Sequence, residues 1–456
     1  MCLCLRRTIP VVLASVSLIA AAAPRVNACD EPRSRHCLAP SGGEDDTPLL
    51  QEALERCSGA RRSCTVNLCK GVFPTGILRV KDFRGTLRGA GPDKTVLRAL
   101  PDLPTSKTEV DFYRGEPFSD VTDPWPYLLQ FVEGKARILD LAIEIPAPSP
   151  GSKPTNGWNW FGFEFTALKG GLLLTGRDPV DFTVRHVRVE AGPYEEPLEG
   201  ATAAAQLGMS CEGLLYDPEA EEQPGDYPVF PVRGTCRIVD NVFRGRLTGT
   251  LLSETAEVKA LLAGNDYRSS TAVTVADADR SQVAILGNGW AVDSRGVQVQ
   301  QNLDGLPSQG SAIVVSRNRG RIAPSPDYYP GAGLYFFDVS PPADGAGTTL
   351  RVARNRWTFG DGGLPAPEGL NVAGAARLRI LGNVLDGHVV NGIAVDNTTG
   401  CRIARNRFAW QEADEGRDLQ LGSGTRDCLV VLSAEDRYTD QGTGNQIVTM
   451  EPAAAP

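Results

Sequence analysis

Histidine is nearly absent from this chain, with three in 456 residues, which leaves too few imidazoles for a zinc centre. Lysine stops at Lys259, and no run of basic residues occurs anywhere. With a formal net charge of -9 and a pI near 5.1, a nucleic-acid scaffold is excluded, because nothing would neutralise the phosphates. The same acidic balance points away from acidic polymers as partners. The cysteines show neither zinc-type spacing nor a redox Cys-x-x-Cys pair. Beyond Ala23 no apolar stretch approaches the length of a transmembrane helix.

Glycine and proline, by contrast, are plentiful. The 49 Gly and 33 Pro, beside 41% hydrophobic and 22% charged residues, describe a turn-rich chain with enough apolar side chains for a core. At its start, Arg6 and Arg7, the apolar stretch Ile9 to Ala23 and the small residues that follow read as an export signal over residues 1–28. Secretion, or residence in a periplasm or on a cell surface, suits the 11 cysteines. Loss of the signal removes Cys2 and Cys4 and leaves an odd number. Val26-Asn27-Ala28-Cys29 resembles the lipid-attachment signal of bacterial lipoproteins, and a lipid anchor on Cys29 would restore even parity. Plain secretion competes with it, since Pro24 and Arg25 part this box from the apolar stretch.

Self-similarity is the strongest signal. Gly392-Ile393-Ala394-Val395, followed by Cys401 to Asn406 and Phe408, matches Ala272 to Val275, followed by Val283 to Asn288 and Trp290. The Asn recurs at Asn241, Asn265, Asn318, Asn355 and Asn383, and Phe243, Tyr267, Trp357 and Leu385 stand two residues after four of them. The intervals are 24, 23, 30, 37, 28 and 23 residues, the spacing of a coil whose loops vary in length. Such short strands are unstable singly, but stacking turn on turn about 4.8 Å apart pairs every backbone group in a parallel ladder. Ile393 and Val395, or Leu370 and Val372, then face inward, while Ala394 and Asn371 face out. The disulfides expected are Cys211 with Cys236 and Cys401 with Cys428, joining neighbouring parts of the coil, with Cys37, Cys57, Cys64 and Cys69 stapling the N-terminal end.

This repeat resembles that of the pectate-lyase-like (pectin lyase-like) superfamily over roughly residues 46 to 440. The resemblance implies an all-β, right-handed parallel β-helix solenoid, with three strands per turn and an Asn ladder in one inner corner. The Asn residues are then hydrogen-bonding struts rather than ligands, and His186 fills the same corner. Asp45 to Cys57 resembles the helix that plugs the first coil, with Leu49, Leu50, Ala53 and Leu54 as its apolar stripe, Asp46 or Thr47 as cap and Pro48 in the first turn. Residues 29–45 are left as an N-terminal linker and 441–456 as a polar tail.

The resemblance also implies a substrate lying across the sheet that carries Gly-Ile-x-Val, between loops on either side. Insertions do fall there: 217–234, 302–311 and 339–348 after the strand, and 190–210, 323–332 and 360–368 before it. Laid in register, the outward central positions become Leu215, Leu251, Thr274, Gln298, Tyr335, Asn371, Ala394 and Val431. None is charged, which argues against direct transfer of uronate-cleaving chemistry. Just past the strand run Pro218, Glu254, Asp277, Gln301, Asp338, Gly374 and Asn397, flanked by Asp217 and Asp396. Glu254 and Asp277 fall in neighbouring coils, about 5 Å apart, and Asp277 and Asp338 about 10 Å apart. Retaining glycoside hydrolysis needs carboxyls about 5 Å apart and inverting hydrolysis roughly 6.5 to 9.5 Å. Glu254, Asp277 and Asp338 are therefore the candidate catalytic acids, with Gln301, Tyr335, Asn397 and Tyr328 as substrate contacts. Oxygen ligands so spaced also suit calcium. The competing reading is a solvated turn, where Asp and Asn are favoured for conformational reasons.

Arg280, Arg295 and Arg317 lie near this region, and an Arg there would orient a carboxylate or serve as base in a lyase. His388 precedes the strand at Ile393. Trp158, Trp160, Phe161, Phe163 and Phe165, like Tyr328 and Tyr329, would stack on sugar rings or pack against the coil. The Gly-His-Gly run and paired Asp motifs of polygalacturonases, and the Trp-x-Asp-His and Arg-x-Pro-x-x-Arg motifs of pectate lyases, are missing, so no catalytic residue carries over. The expected function is that of an extracytoplasmic carbohydrate-active protein, a polysaccharide lyase or glycoside hydrolase. The alternative is a non-catalytic envelope or cell-surface protein that serves as a rod or binds glycans.

Overall fold

The computed structural model describes residues 37–60, 64–101, 127–146, 156–160, 163–192, 203–215, 229–245, 248–302, 308–323, 331–339, 346–360, 366–410 and 417–451. The export signal, Cys29, Asp217, Pro218, Phe161, Tyr328 and Tyr329 lie outside them. Each turn of the chain crosses three parallel ladders. Thr248–Ala263 runs along the first face and bends into the second, while Asp266–Asp279 carries the third face and then the first face of the next turn. Gln282–Leu286 and Gly289–Gln301 repeat the cycle. The result is a parallel β-helix.

On the first face the outward register is Ser210, Leu251, Thr274, Gln298, Tyr335, Asn371, Ala394 and Gln420. Inward neighbours such as Val273, Val297, Leu334, Leu370 and Ile393 are fully buried in one continuous core, each burial contributing about 1.5–3 kcal/mol. Two ends of this column differ from the expected one. Leu215 belongs instead to a short antiparallel pair with Val229, and Val431 lies on the second face opposite Ala404. At both places an insertion displaces the repeat count.

At the corner between second and third faces the Asn ladder is present. Asn265 donates from Nδ2 to the Ile238 carbonyl at 3.0 Å, and its Oδ1 accepts from the backbone N–H of Asn241 at 2.9 Å and from Asn241 Nδ2 at 3.1 Å. The same contacts recur down to Asn406. His186 is not a member. Val187 holds the ladder position, its N–H donating to Asn241 Oδ1 at 2.9 Å. The residue just before the ladder turns left-handed, and His186 (φ 53°) aligns there with Asp140 and Asp240 (φ 58° and 55°), its Nδ1 3.2 Å from Asp140 Oδ1. The sequence expectation was one residue out of step.

Two residues past the ladder, Phe243, Tyr267, Trp290, Gly320, Trp357, Leu385 and Phe408 stack inside the third face. Phe243 and Tyr267 lie 4.8 Å apart with rings 7° from parallel. Gly320 explains why Asn318 lacks an apolar residue at this offset, because the Trp290 indole occupies the space a Cβ would need. Disulfides join Cys37 to Cys69, Cys57 to Cys64, Cys211 to Cys236 and Cys401 to Cys428. The helix Thr47–Glu55 buries Leu50 and Leu54 in the core at the first coil. Asp46 precedes it, but its Oδ1 accepts from the Ser41 N–H at 2.8 Å rather than from the helix. At the far end Gln446–Met450 pairs with Leu429–Ser433, so the ladder runs on past Asp440. Among the described residues no helix is long and apolar enough to cross a membrane.

Candidate functional site

Glu254, Asp277, Gln301, Asp338, Gly374 and Asn397 do fall in one column, at the corner where the chain leaves the first face. Their side chains do not share one surface. A left-handed backbone at Glu254, Asp277 and Asn397 (φ 45°, 45° and 46°) turns the chain here, and the polar backbone groups of such a buried corner need partners. Gln301 is fully buried and supplies two: its Oε1 accepts from the Ala278 N–H at 2.8 Å and its Nε2 donates to the Ala278 carbonyl at 3.3 Å, as well as to the Thr348 side-chain Oγ1 at 3.0 Å. Ser311 Oγ donates to the Ala278 carbonyl at 2.6 Å and accepts from the Ser281 N–H at 2.9 Å. Gln301 is thus a strut of the coil.

Asp277 and Asp338 are buried, 2% and 4% exposed. Ser308 Oγ donates to Asp277 Oδ1 at 3.4 Å, the Ser308 N–H donates to Asn302 Oδ1 at 2.9 Å, and Asn302 Nδ2 donates to Asp338 Oδ1 at 2.6 Å. The two acids therefore anchor the ends of the loop 302–308. Glu254 is half-buried and Asn397 exposed. Among the described residues no group of three or more Asp, Glu, His or Cys side chains is placed to hold a metal ion, so calcium, which takes 6–8 oxygens, finds no carboxylate cage here.

The polar side chains that do share a surface stand on the outward side of the first face. Arg295 places its Cζ 4.5 Å from the centroid of the Tyr335 ring on the next coil and donates from Nη1 to Gln298 Oε1 at 2.6 Å. Gln298 Nε2 in turn donates to Gln300 Oε1 at 2.7 Å. Tyr335 is half-buried, and exposed Phe337 follows with ring centroids 6.3 Å apart. Asn371 donates from Nδ2 to a carboxylate oxygen of Glu368. Arg295 is in register with Ala332 and Ala332 with Glu368, so the backbones of the two residues stand about 10 Å apart across the Tyr335 coil.

Burial raises the Glu368 carboxyl above the usual range, against the Asn371 hydrogen bond that lowers it. Burial likewise lowers the Arg295 guanidinium, opposed by Tyr335. A carboxyl shifted by burial toward its protonated form, a guanidinium and two aromatic rings on one face suit proton donation to, and stacking against, a sugar chain. Sequence reasoning noted Arg295 and Tyr335 but passed over Glu368, which it placed in a loop. The signal was its offset: Arg295 and Glu368 each immediately precede the Gly of a Gly-apolar-x-apolar strand. His388 is exposed, and Arg280 pairs with Glu257 at 3.2 Å and Asp279 at 2.9 Å. The strand Asn156–Trp160 pairs antiparallel with the start of Phe163–Thr175.

No family model matches the chain, and no curated protein matches its sequence. Solved structures do resemble it along nearly its whole length. A DFA-IIIase from Arthrobacter chlorophenolicus A6 is 12% identical with a TM-score of 0.43, the match covering 91% of this chain and 98% of that one. A polygalacturonase from Erwinia carotovora ssp. carotovora is 12% identical at 0.42, covering 93% and 97%. The mannuronan C-5 epimerase A-module of Azotobacter vinelandii is 15% identical at 0.42, covering 92% and 96%. The three-ladder coil itself rests on the register described above.

Proposed function

We propose that this is an extracytoplasmic carbohydrate-active enzyme, a glycoside hydrolase or polysaccharide lyase, whose substrate lies along the outward side of the first face. The observation that carries this is the pairing of a desolvated acid, Glu368, with a desolvated cation, Arg295, beside the rings of Tyr335 and Phe337. Glu368 would donate its proton to the glycosidic oxygen, Arg295 would hold an oxyanion or carboxylate of the sugar, and the rings would support the sugar faces. Asp277 and Asp338 would act indirectly, by holding Ser308 and Asn302. Export by the signal at residues 1–28 fits the four disulfides, and the helix Thr47–Glu55 would close the first coil.

A glycan-degradation screen that reads both new reducing ends and unsaturated uronates, run with Glu368→Gln beside the native protein, tests this. Turnover of some polymer that is abolished in Glu368→Gln supports it; equal turnover in both removes Glu368 as the acid. The second reading, a glycan-binding solenoid without catalysis, draws on the burial of Asp277 and Asp338, which leaves a single perturbed carboxyl beside the aromatic rings. Binding without turnover on any polymer would select it.

A further inference from the structure

The net charge of -9 conceals a strong local excess of the opposite sign. Every arginine from Arg317 to Arg407 is exposed, and on the second and third faces of these coils Asp386 is the one acidic side chain among the described residues. Three of the arginines are stacked in direct register: Arg351 opposite Arg379, and Arg379 opposite Arg402. Their backbones are therefore about 4.8 Å apart. Around the corner, Arg356 and Arg407 flank Val384 in the outward column of the third face. All five keep a fixed offset from a ladder Asn, four residues before it or one after, so the repeat itself builds the rows.

Like charges directly opposite one another on adjacent strands destabilise a sheet. Earlier coils of this protein relieve that cost with acids. Arg237 pairs with Asp181 at 2.8 Å, Arg98 with Glu144 at 2.8 Å, and Arg188 with Asp93 at 2.6 Å. Arg351, Arg379, Arg402, Arg356 and Arg407 have no such ion pair among the described residues. Clustered guanidinium forks without internal acids, set in rows along the solenoid axis, are complementary to a chain that carries an acidic group on each repeat. Among the described residues no exposed aromatic side chain interrupts the rows to offer a stacking platform for bases, and Leu429 is the one large exposed hydrophobic in the Arg351 column to enter a lipid surface.

We propose that the arginine rows centred on Arg351, Arg379 and Arg402 form a second binding surface, which holds a linear acidic polysaccharide by its carboxylates. This reverses the expectation that the acidic balance drew from composition, because charge is sorted by face rather than averaged. The surface lies on different faces from Tyr335 and Glu368 and stands whether or not the first face is catalytic.

The test is binding of the full chain to polygalacturonate, with dextran, phosphatidylglycerol vesicles and single-stranded DNA as comparison ligands. Native protein is expected to bind polygalacturonate with affinity that falls as salt is added, and to ignore dextran at these rows. The triple variant Arg351→Ala, Arg379→Ala, Arg402→Ala is expected to bind roughly tenfold or more weakly with an unchanged melting temperature. Should it melt differently, Arg379→Glu alone carries the same expectation. No polygalacturonate binding by the native protein, or equal binding by the variants, overturns the proposal. So does tighter, variant-sensitive binding to vesicles or DNA, or a variant-sensitive self-association in sedimentation, each of which gives the rows to another partner.

Discussion

The guanidinium of Arg295 lies 4.5 Å above the ring of Tyr335, one coil further along the first face. Each residue fixes the other: the ring holds the cation over an outward surface, and the cation covers one side of the ring. Such a contact contributes about 0.5–2 kcal/mol. Tyr335→Ala is expected to raise KM for the glycan more than it lowers kcat, and Arg295→Lys, which keeps charge but loses the fork, to lower kcat/KM. Steady-state kinetics on the polymer found in the degradation screen checks both, and an unchanged KM in Tyr335→Ala would count against the groove.

Glu368 links the candidate site to stability through pH. Its carboxyl titrates above the usual glutamate range in the folded protein because burial penalises the charged form. Below the ordinary value both folded and unfolded chains hold the proton, and no difference arises. As pH rises through the ordinary value and then the raised one, the folded state loses stability. Glu368→Gln is therefore expected to melt higher than the native protein at neutral pH, with the gain shrinking toward zero in acid. A gain that is constant across pH would refute the linkage.

Asp277→Ala and Asp338→Ala are expected to act on the fold rather than on a chemical step. Each removes an acceptor at a buried corner and strands Ser308 or Asn302, a cost of about 1–3 kcal/mol. Lower denaturation midpoints, with hydrogen exchange accelerated at Ala278 and along the nearby strand, are the expected readouts. Full stability with lost turnover would restore these acids to a catalytic role.

Asn318→Ala withdraws contacts to four groups: the backbone N–H and Nδ2 of Asn288, the Ile285 carbonyl and Asn355 Oδ1. With these groups stranded in the core the loss is expected to reach about 3 kcal/mol or more. Gly320→Ala, two residues away, drives a methyl into the Trp290 indole and is expected to cost about 1–3 kcal/mol through overpacking. Urea denaturation of the two variants and the double variant measures both, and their coupling.

The coil was legible because its strongest determinant is local and periodic. Asn241 to Asn406 each sit at the same corner, so their intervals map the turns directly, and the disulfide partners follow from coils brought side by side. Where a loop interrupts the count, the reading slips, as it did by one residue at His186 and by a whole face at Val431. The candidate site was half legible. Tyr335 is outward on a strand whose phase was known, whereas Arg295 shares the phase of inward Val297 and reaches the outer side at an irregularity of the ladder. The fate of Asp277, Gln301 and Asp338 depends on contacts from Asn302 and Ser308, and on backbone donors at the corner that no single side chain announces. Glu368 is distinguished only by the desolvation its neighbours impose.

The Asn ladder has a sense of direction. Each side-chain oxygen serves the backbone of the turn before it, never the turn after: Asn288 for Asn265, Asn318 for Asn288, Asn355 for Asn318. Loss of turns from the C-terminal end would therefore leave a backbone N–H unanswered in the last turn that remains, whereas loss from the N-terminal end would release the side-chain Oδ1 and Nδ2 groups that served the lost turn. Shortening this protein from its two ends is thus not equivalent. Gain or loss of whole turns over evolutionary time would be best tolerated inside the ladder, where every new turn both receives and provides.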